Sequence, residues 1–128
     1  MSYKILIIED DPITLEFLLN KLNAEGHEVL DASSGGKARE ILSTSSPDVI
    51  LLDLSLPDDS GLDILSKIRG EPHTAKVPVI VFTGNANLTI ADEARIRGAN
   101  GYLVKPCPPE AIITQIEQVM DEQFRQAS

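Results

Sequence analysis

Positive charge is scarce in this chain. Its 128 residues carry 11 Lys and Arg against 20 Asp and Glu, a formal charge of −9. Every phosphate contact to a nucleic acid or an anionic membrane needs a cation, so neither is expected as a direct ligand. Cysteine is nearly absent. Cys107 stands alone, which excludes an internal disulfide and a zinc cluster and fits a reducing cytoplasm. Long apolar runs are missing too: stretches such as Ile5 to Ile8 stop far short of the roughly twenty residues of a membrane span. The acidic Glu9-Asp10-Asp11 directly after Ile8 is wrong for a secretory signal. There is no low-complexity segment, linker or internal repeat, and with 42% hydrophobic residues disorder is excluded. The length fits one domain able to bury about two-thirds of its unfolded surface.

Five short apolar runs read as strands: Ile5 to Ile8, Glu28 to Leu30, Val49 to Leu52, Val79 to Phe82 and Tyr102 to Val104. Three are continuous rather than alternating, as in strands buried on both faces of a parallel sheet. Helical stripes lie between them. Leu15, Leu18, Leu19 and Leu22 fall at i, i+3, i+4 and i+7, and Ile112, Ile113, Ile116, Val119 and Met120 make a similar face. Ala38, Ile41 and Leu42 mark a second helix, and Leu62, Leu65 and Ile68 a third. The weakest helix runs from Leu88 to Arg97 with Ala91, Ala94 and Ile96 as its apolar side. Asp11-Pro12 reads as an N-cap followed by Pro at the first helical position, and Gly26, Gly70 and Gly98 as helix closures. The expectation is an α/β chain, (βα)5, with a five-stranded parallel sheet doubly wound by helices on both faces.

Ligands of such sheets sit at the carboxyl ends of the strands. Those ends carry Glu9-Asp10, Asp53, Thr83-Gly84 and Lys105-Pro106. Clustered carboxylates repel one another unless cations intervene. Lys105 supplies one positive charge, and a hard divalent cation such as Mg2+ would supply the rest. Carboxylate nucleophile, metal, ammonium and hydroxyl together suit phosphoryl transfer.

Four segments carry a resemblance. Ile5-Leu6-Ile7-Ile8-Glu9-Asp10-Asp11-Pro12, Pro47 to Asp58, Val79-Ile80-Val81-Phe82-Thr83-Gly84 and Gly101-Tyr102-Leu103-Val104-Lys105-Pro106 resemble the receiver domain of two-component response regulators. Each motif is modest alone; four in order are specific, and they cover nearly the whole chain. The resemblance implies a flavodoxin-like sheet in the order 2-1-3-4-5, with residues 1–128 forming a single receiver and no output domain within this chain. It implies that Asp53 accepts a phosphoryl group from a phosphohistidine of a histidine kinase or histidine phosphotransfer protein. Asp10 would ligate Mg2+ directly and Glu9 through water, with Asp53 and the Ser55 backbone carbonyl completing the set. Thr83 would hydrogen-bond the phosphoryl group and Lys105 would pair with it. Tyr102 would be the switch aromatic, and Lys105-Pro106 a cis peptide. The message would pass to a downstream protein target or a linked output domain.

Plainer roles are assigned elsewhere. Asp11 is expected to cap a helix, and Asp58 and Asp59 to serve a turn and a cap. His27 and His73 lack partners at metal or catalytic spacing and read as surface or loop residues. Gly35-Gly36-Lys37 fails as a Walker A loop, because Asp31 and Ala38 stand where Gly and Ser or Thr are needed. Cys107 stands where the family commonly has Phe and is expected to pack as a small residue. Two other functions compete. An aspartyl-phosphate hydrolase of similar architecture would need an acid two positions after Asp53, where Ser55 stands. An interaction module of the same fold that never takes phosphate would have no use for the full set of Glu9, Asp10, Asp53, Thr83 and Lys105.

Overall fold

The computed structural model describes residues 2–127. Strands and helices alternate along the chain: β1 (Lys4–Ile8), α1 (Pro12–Ala24), β2 (Glu28–Ala32), α2 (Gly35–Thr44), β3 (Val49–Leu52), α3 (Gly61–Gly70), β4 (Val79–Thr83), α4 (Leu88–Ile96), β5 (Gly101–Val104) and α5 (Pro109–Ala127). All strand pairings are parallel, and the sheet order is β2-β1-β3-β4-β5. This is the expected flavodoxin-like arrangement.

Side-chain alternation along the strands divides the core in two. Leu6, Ile8, Ile50, Leu52, Val79 and Val81 face one side and pack with α2, α3 and α4 through Ala38, Leu42, Ile64, Leu65, Ile68 and Ala94. Ile5, Ile7, Val49, Leu51, Ile80 and Phe82 face the other and pack with α1 and α5 through Leu18, Leu22, Ile112, Ile116 and Val119. The central strands are continuously apolar from Ile5 to Ile8, Val49 to Leu52 and Val79 to Phe82 because both faces are covered. Cys107 is half-buried against the second core, as a small packed residue should be.

Helix ends follow the sequence signals with two exceptions. Asp11 caps α1 through the Thr14 amide at 3.3 Å, with Pro12 at the first position. Gly26 and Gly98 close α1 and α4 with φ of +90° and +107°, a conformation that costs a residue with a Cβ. Gly70 differs: it is the last residue of α3, without positive φ. There Pro72 ends the helix by holding the preceding Glu71 extended, with ψ of 130°. The second exception is Ile96, expected on the apolar side of α4 but 80% exposed. Ile96 follows Ala94 by two residues, about 200° of helix rotation, so with Ala94 inward Ile96 faces out.

Candidate functional site

Register and alternation assemble the site. Ile8 lies beside Leu52, so the next residues, Glu9 and Asp53, emerge side by side. Both continue the parity of the strand residues that face α1 and α5, as Lys105 does after Leu103. Three chain segments thus deliver Glu9, Asp53 and Lys105 to one face at the carboxyl edge. Lys105 Nζ lies 5.2 Å from the centre of the Phe82 ring, which supports it from below. From there the ammonium donates to Glu9 Oε1 and, at 3.1 Å, to Asp53 Oδ2.

Burial sets the electrostatics. Glu9 is 1% exposed and Asp53 6%, whereas Asp10 sits exposed at the mouth with its amide donating to Glu9 Oε2 at 3.1 Å. Burial, then the shared hydrogen bond with Asp53, pushes Glu9 up to about 7 against the pull of Lys105. Burial also works to raise Asp53. The hydrogen bond with Glu9, the Ser55 amide at 3.1 Å and Lys105 outweigh it and hold Asp53 below the usual carboxylate range. Burial likewise works against the Lys105 charge, but its two carboxylate partners keep it above the usual lysine value. Of the two buried acids, Glu9 therefore takes a proton more readily and Asp53 ionises more readily.

Carboxylate oxygens of Glu9, Asp10 and Asp53 all lie within 4.8 Å of one another. Three converging oxygens, one of them exposed, suit a hard divalent cation that keeps several waters. The donor set fits the ion. The only neighbouring cation among the described site residues, Lys105, cannot balance all three acids.

Thr83 and Tyr102 occupy the opposite parity. Thr83 is fully buried at the end of β4 beside Val104, its Oγ1 accepting the Asn85 amide at 3.4 Å. Tyr102 lies beside Val81, packs against the first core, and donates from its hydroxyl to the Asn85 carbonyl at 2.7 Å. Both therefore hold the β4–α4 connection, one through each side of Asn85. The Lys105-Pro106 bond is cis, as the resemblance implied. The Ser55 backbone joins an isolated bridge with Ser60, which closes the β3–α3 loop close to Asp53.

Other singled-out residues lie apart. His27 stacks on Tyr3 with ring centres 5.4 Å apart and accepts the Tyr3 amide at Nδ1, so it ties β1 to β2. The His73 ring contacts the Leu42 carbonyl at 2.6 Å. Asp58 and Asp59 do cap and pair, but across the chain. Asp58 receives the amides of Gly35 and Gly36, and Asp59 pairs with Arg39 at 2.7 Å. Sequence reasoning missed these partners, as it missed Phe82 beneath Lys105. Separations of some twenty residues left no local signal; for Phe82, its place at the end of a buried strand was the available hint.

The response regulator receiver domain family model matches residues 5–117. Protein PilH of Pseudomonas aeruginosa is 31% identical over 117 residues, covering 91% of this chain and 97% of PilH. The transcriptional regulatory protein KdpE of Mycobacterium tuberculosis is 37% identical over 102 residues, but the match covers 80% of this chain and only 44% of KdpE. A response regulator receiver domain protein (CheY-like) from Methanospirillum hungatei superposes with a TM-score of 0.92 at 28% identity, covering 98% of this chain and 99% of that one.

Proposed function

This chain belongs to the response regulator receiver domain family, and from that premise we propose that it is a phosphoryl-accepting switch in which Asp53 is the acceptor. Receiver domains are signalling switches rather than turnover enzymes, and they bind Mg2+ at an acidic site. One observation carries the assignment. Asp53 is buried, contacted by Lys105 and the Ser55 amide, and its carboxylate converges with those of Glu9 and Asp10 within 4.8 Å.

In this reading residues 1–128 act as one receiver in the cytoplasm. Asp53 Oδ attacks the phosphorus of a phosphohistidine on a histidine kinase or phosphotransfer protein, and the imidazole leaves with the P–N electron pair. Glu9, Asp10, Asp53 and the Ser55 carbonyl would hold Mg2+, which supplies charge neutralisation for the phosphoryl oxygens. Lys105 keeps its perch on Phe82 and pairs with one phosphoryl oxygen. Thr83 donates its hydroxyl to another, so its Oγ1 moves towards Asp53 and draws on the Asn85 segment. Tyr102 shares that segment through the Asn85 carbonyl, so the aromatic ring and the β4–α4 connection shift together. The altered surface engages a protein target or a linked output domain.

A phosphodonor assay tests the assignment. Labelled phosphoryl from a small donor or a phosphohistidine protein should enter the wild-type chain with Mg2+ and not enter Asp53→Asn. Label at another residue of a natively folded Asp53→Asn would overturn it. Steady release of many phosphates per chain from an aryl phosphate would favour the hydrolase reading instead.

A further inference from the structure

Two consecutive aspartates outside the acidic cluster clamp the loop that follows Asp53. The Asp58 carboxylate accepts the Gly35 amide at 2.8 Å on Oδ1 and the Gly36 amide at 3.0 Å on Oδ2. These are the first two amides of α2, which lack partners within the helix. Ser34 already caps the Lys37 amide of the same helix at 3.1 Å, so Asp58 adds a second cap from a distant loop. Asp59 then takes Arg39 with Oδ2 at 2.7 Å and Oδ1 at 3.4 Å, and its Oδ1 also accepts the Ser60 amide at 2.8 Å. Contact is close enough that a Cβ at Gly35 would fall 2.3 Å from Asp59 Cβ.

The loop is also closed on itself. The Gly61 amide donates to the Leu54 carbonyl at 3.1 Å, and Ser55 bridges to Ser60. At its base the Ser55 amide donates to Asp53 Oδ1. The loop is thus fixed at both ends: at Asp53 by its own backbone and at its tip by α2. Leu54 and Leu56 pack against the first core, and the rest of this partly exposed segment is held by the tip anchor.

We propose that Asp58, seconded by the Asp59–Arg39 pair, is a positioning residue for the metal site, holding the β3–α3 loop so that the Ser55 carbonyl and the Asp53 carboxylate face a common cation. The inference rests on the reading of Glu9, Asp10, Asp53 and Ser55 as a Mg2+ site. Helix α2 then acts as the fixed post against which the ligand loop is braced. Removal of the brace leaves every proposed ligand in the chain and loosens their arrangement.

The test compares Asp58→Ala, Asp58→Asn, Arg39→Met and Ser34→Ala. Mg2+ is titrated calorimetrically in roughly 0.5 M KCl, where the screening length is on the order of 4 Å and the lost charge itself counts for little. Asp58→Ala should weaken Mg2+ binding about tenfold, as loss of an outer partner of a metal ligand does. Asp58→Asn, which keeps one acceptor oxygen, and Arg39→Met should fall between it and wild type. Ser34→Ala damages the same helix end without touching the loop, so it should lower thermal stability and leave Mg2+ affinity unchanged. Equal Mg2+ affinity in wild type and Asp58→Ala would overturn the proposal, as would an equal loss in Ser34→Ala. Amide exchange at Ser60 and Gly61, measured without metal, should quicken in Asp58→Ala alone of the Ala variants. Failure of wild type to bind Mg2+ would refute the metal reading, and unchanged exchange would refute the brace, so the two fail separately.

Discussion

The acidic cluster should cost the folded protein stability when no cation is bound, and Glu9→Gln should recover it. In the folded chain Glu9 titrates at about 7 instead of the ordinary 4.5. Between about pH 4.5 and 7 the folded protein therefore holds a proton that the unfolded chain has released, so stability falls as pH rises through that window. For this group alone the loss at pH 7 is about 3 kcal/mol, reached almost fully by that pH. The Asp53 shift, downward, and the Lys105 shift, upward, both favour the folded state at pH 7 and so reduce that figure. Gln is neutral at every pH, nearly isosteric, and can still face Asp53 through its amide. At about 3–5 °C per kcal/mol for a chain of this size, Glu9→Gln should melt several degrees higher at pH 7. Below about pH 4.5 the difference should vanish, because wild-type Glu9 is then neutral in both states. Calorimetry in EDTA from about pH 3.5 to about pH 8 reads both effects. A variant less stable than wild type at pH 7, or two parallel pH profiles, would refute the reasoning. The trade is the familiar one of a site built for charge at the expense of fold stability.

Two further outcomes follow from the same geometry. Lys105→Ala should remain folded and bind beryllofluoride with Mg2+, but the change in the Tyr102 environment seen by NMR should shrink, since the ammonium that links Asp53 to strand β5 is gone; an undiminished change would count against its coupling role. Arg69→Met should lower stability by about 3 kcal/mol in chemical denaturation, because it strips charge-assisted bonds from the carbonyls of Ala75, Val77 and Gly98 and from Asn100. That cluster lies at the amino ends of β4 and β5, away from Asp53, so Mg2+ affinity should not change.

Much of this protein was legible in the chain because its signals are local. Continuous Val49 to Leu52 and Val79 to Phe82 mark strands covered on both faces, and Asp11-Pro12 marks a helix start wherever it occurs. Alternation of strands and helices then leaves few topologies, all of which bring strand ends to one edge. Hence Glu9, Asp10, Asp53, Thr83 and Lys105 could be nominated together. Local signals also misled where two devices can end a helix: Gly70 carries the right residue type, but Pro72 does the work.

What the tertiary structure alone decided is who meets whom across distance, and in which charge state. The pairing of Ile8 with Leu52 puts Glu9 against Asp53, forty-odd residues away, and burial together with the Ser55 amide and Lys105 then pushes their acidities apart. The same holds for Phe82 under Lys105, Asn85 between Thr83 and Tyr102, and Asp58 on the amides of α2. Periodicity and capping are properties of neighbouring residues, so the amino-acid order contains them. Desolvation and long-range hydrogen bonds exist only once the sheet has closed its register, and in this protein they gather acids that are distant in the chain into one buried cluster with Lys105.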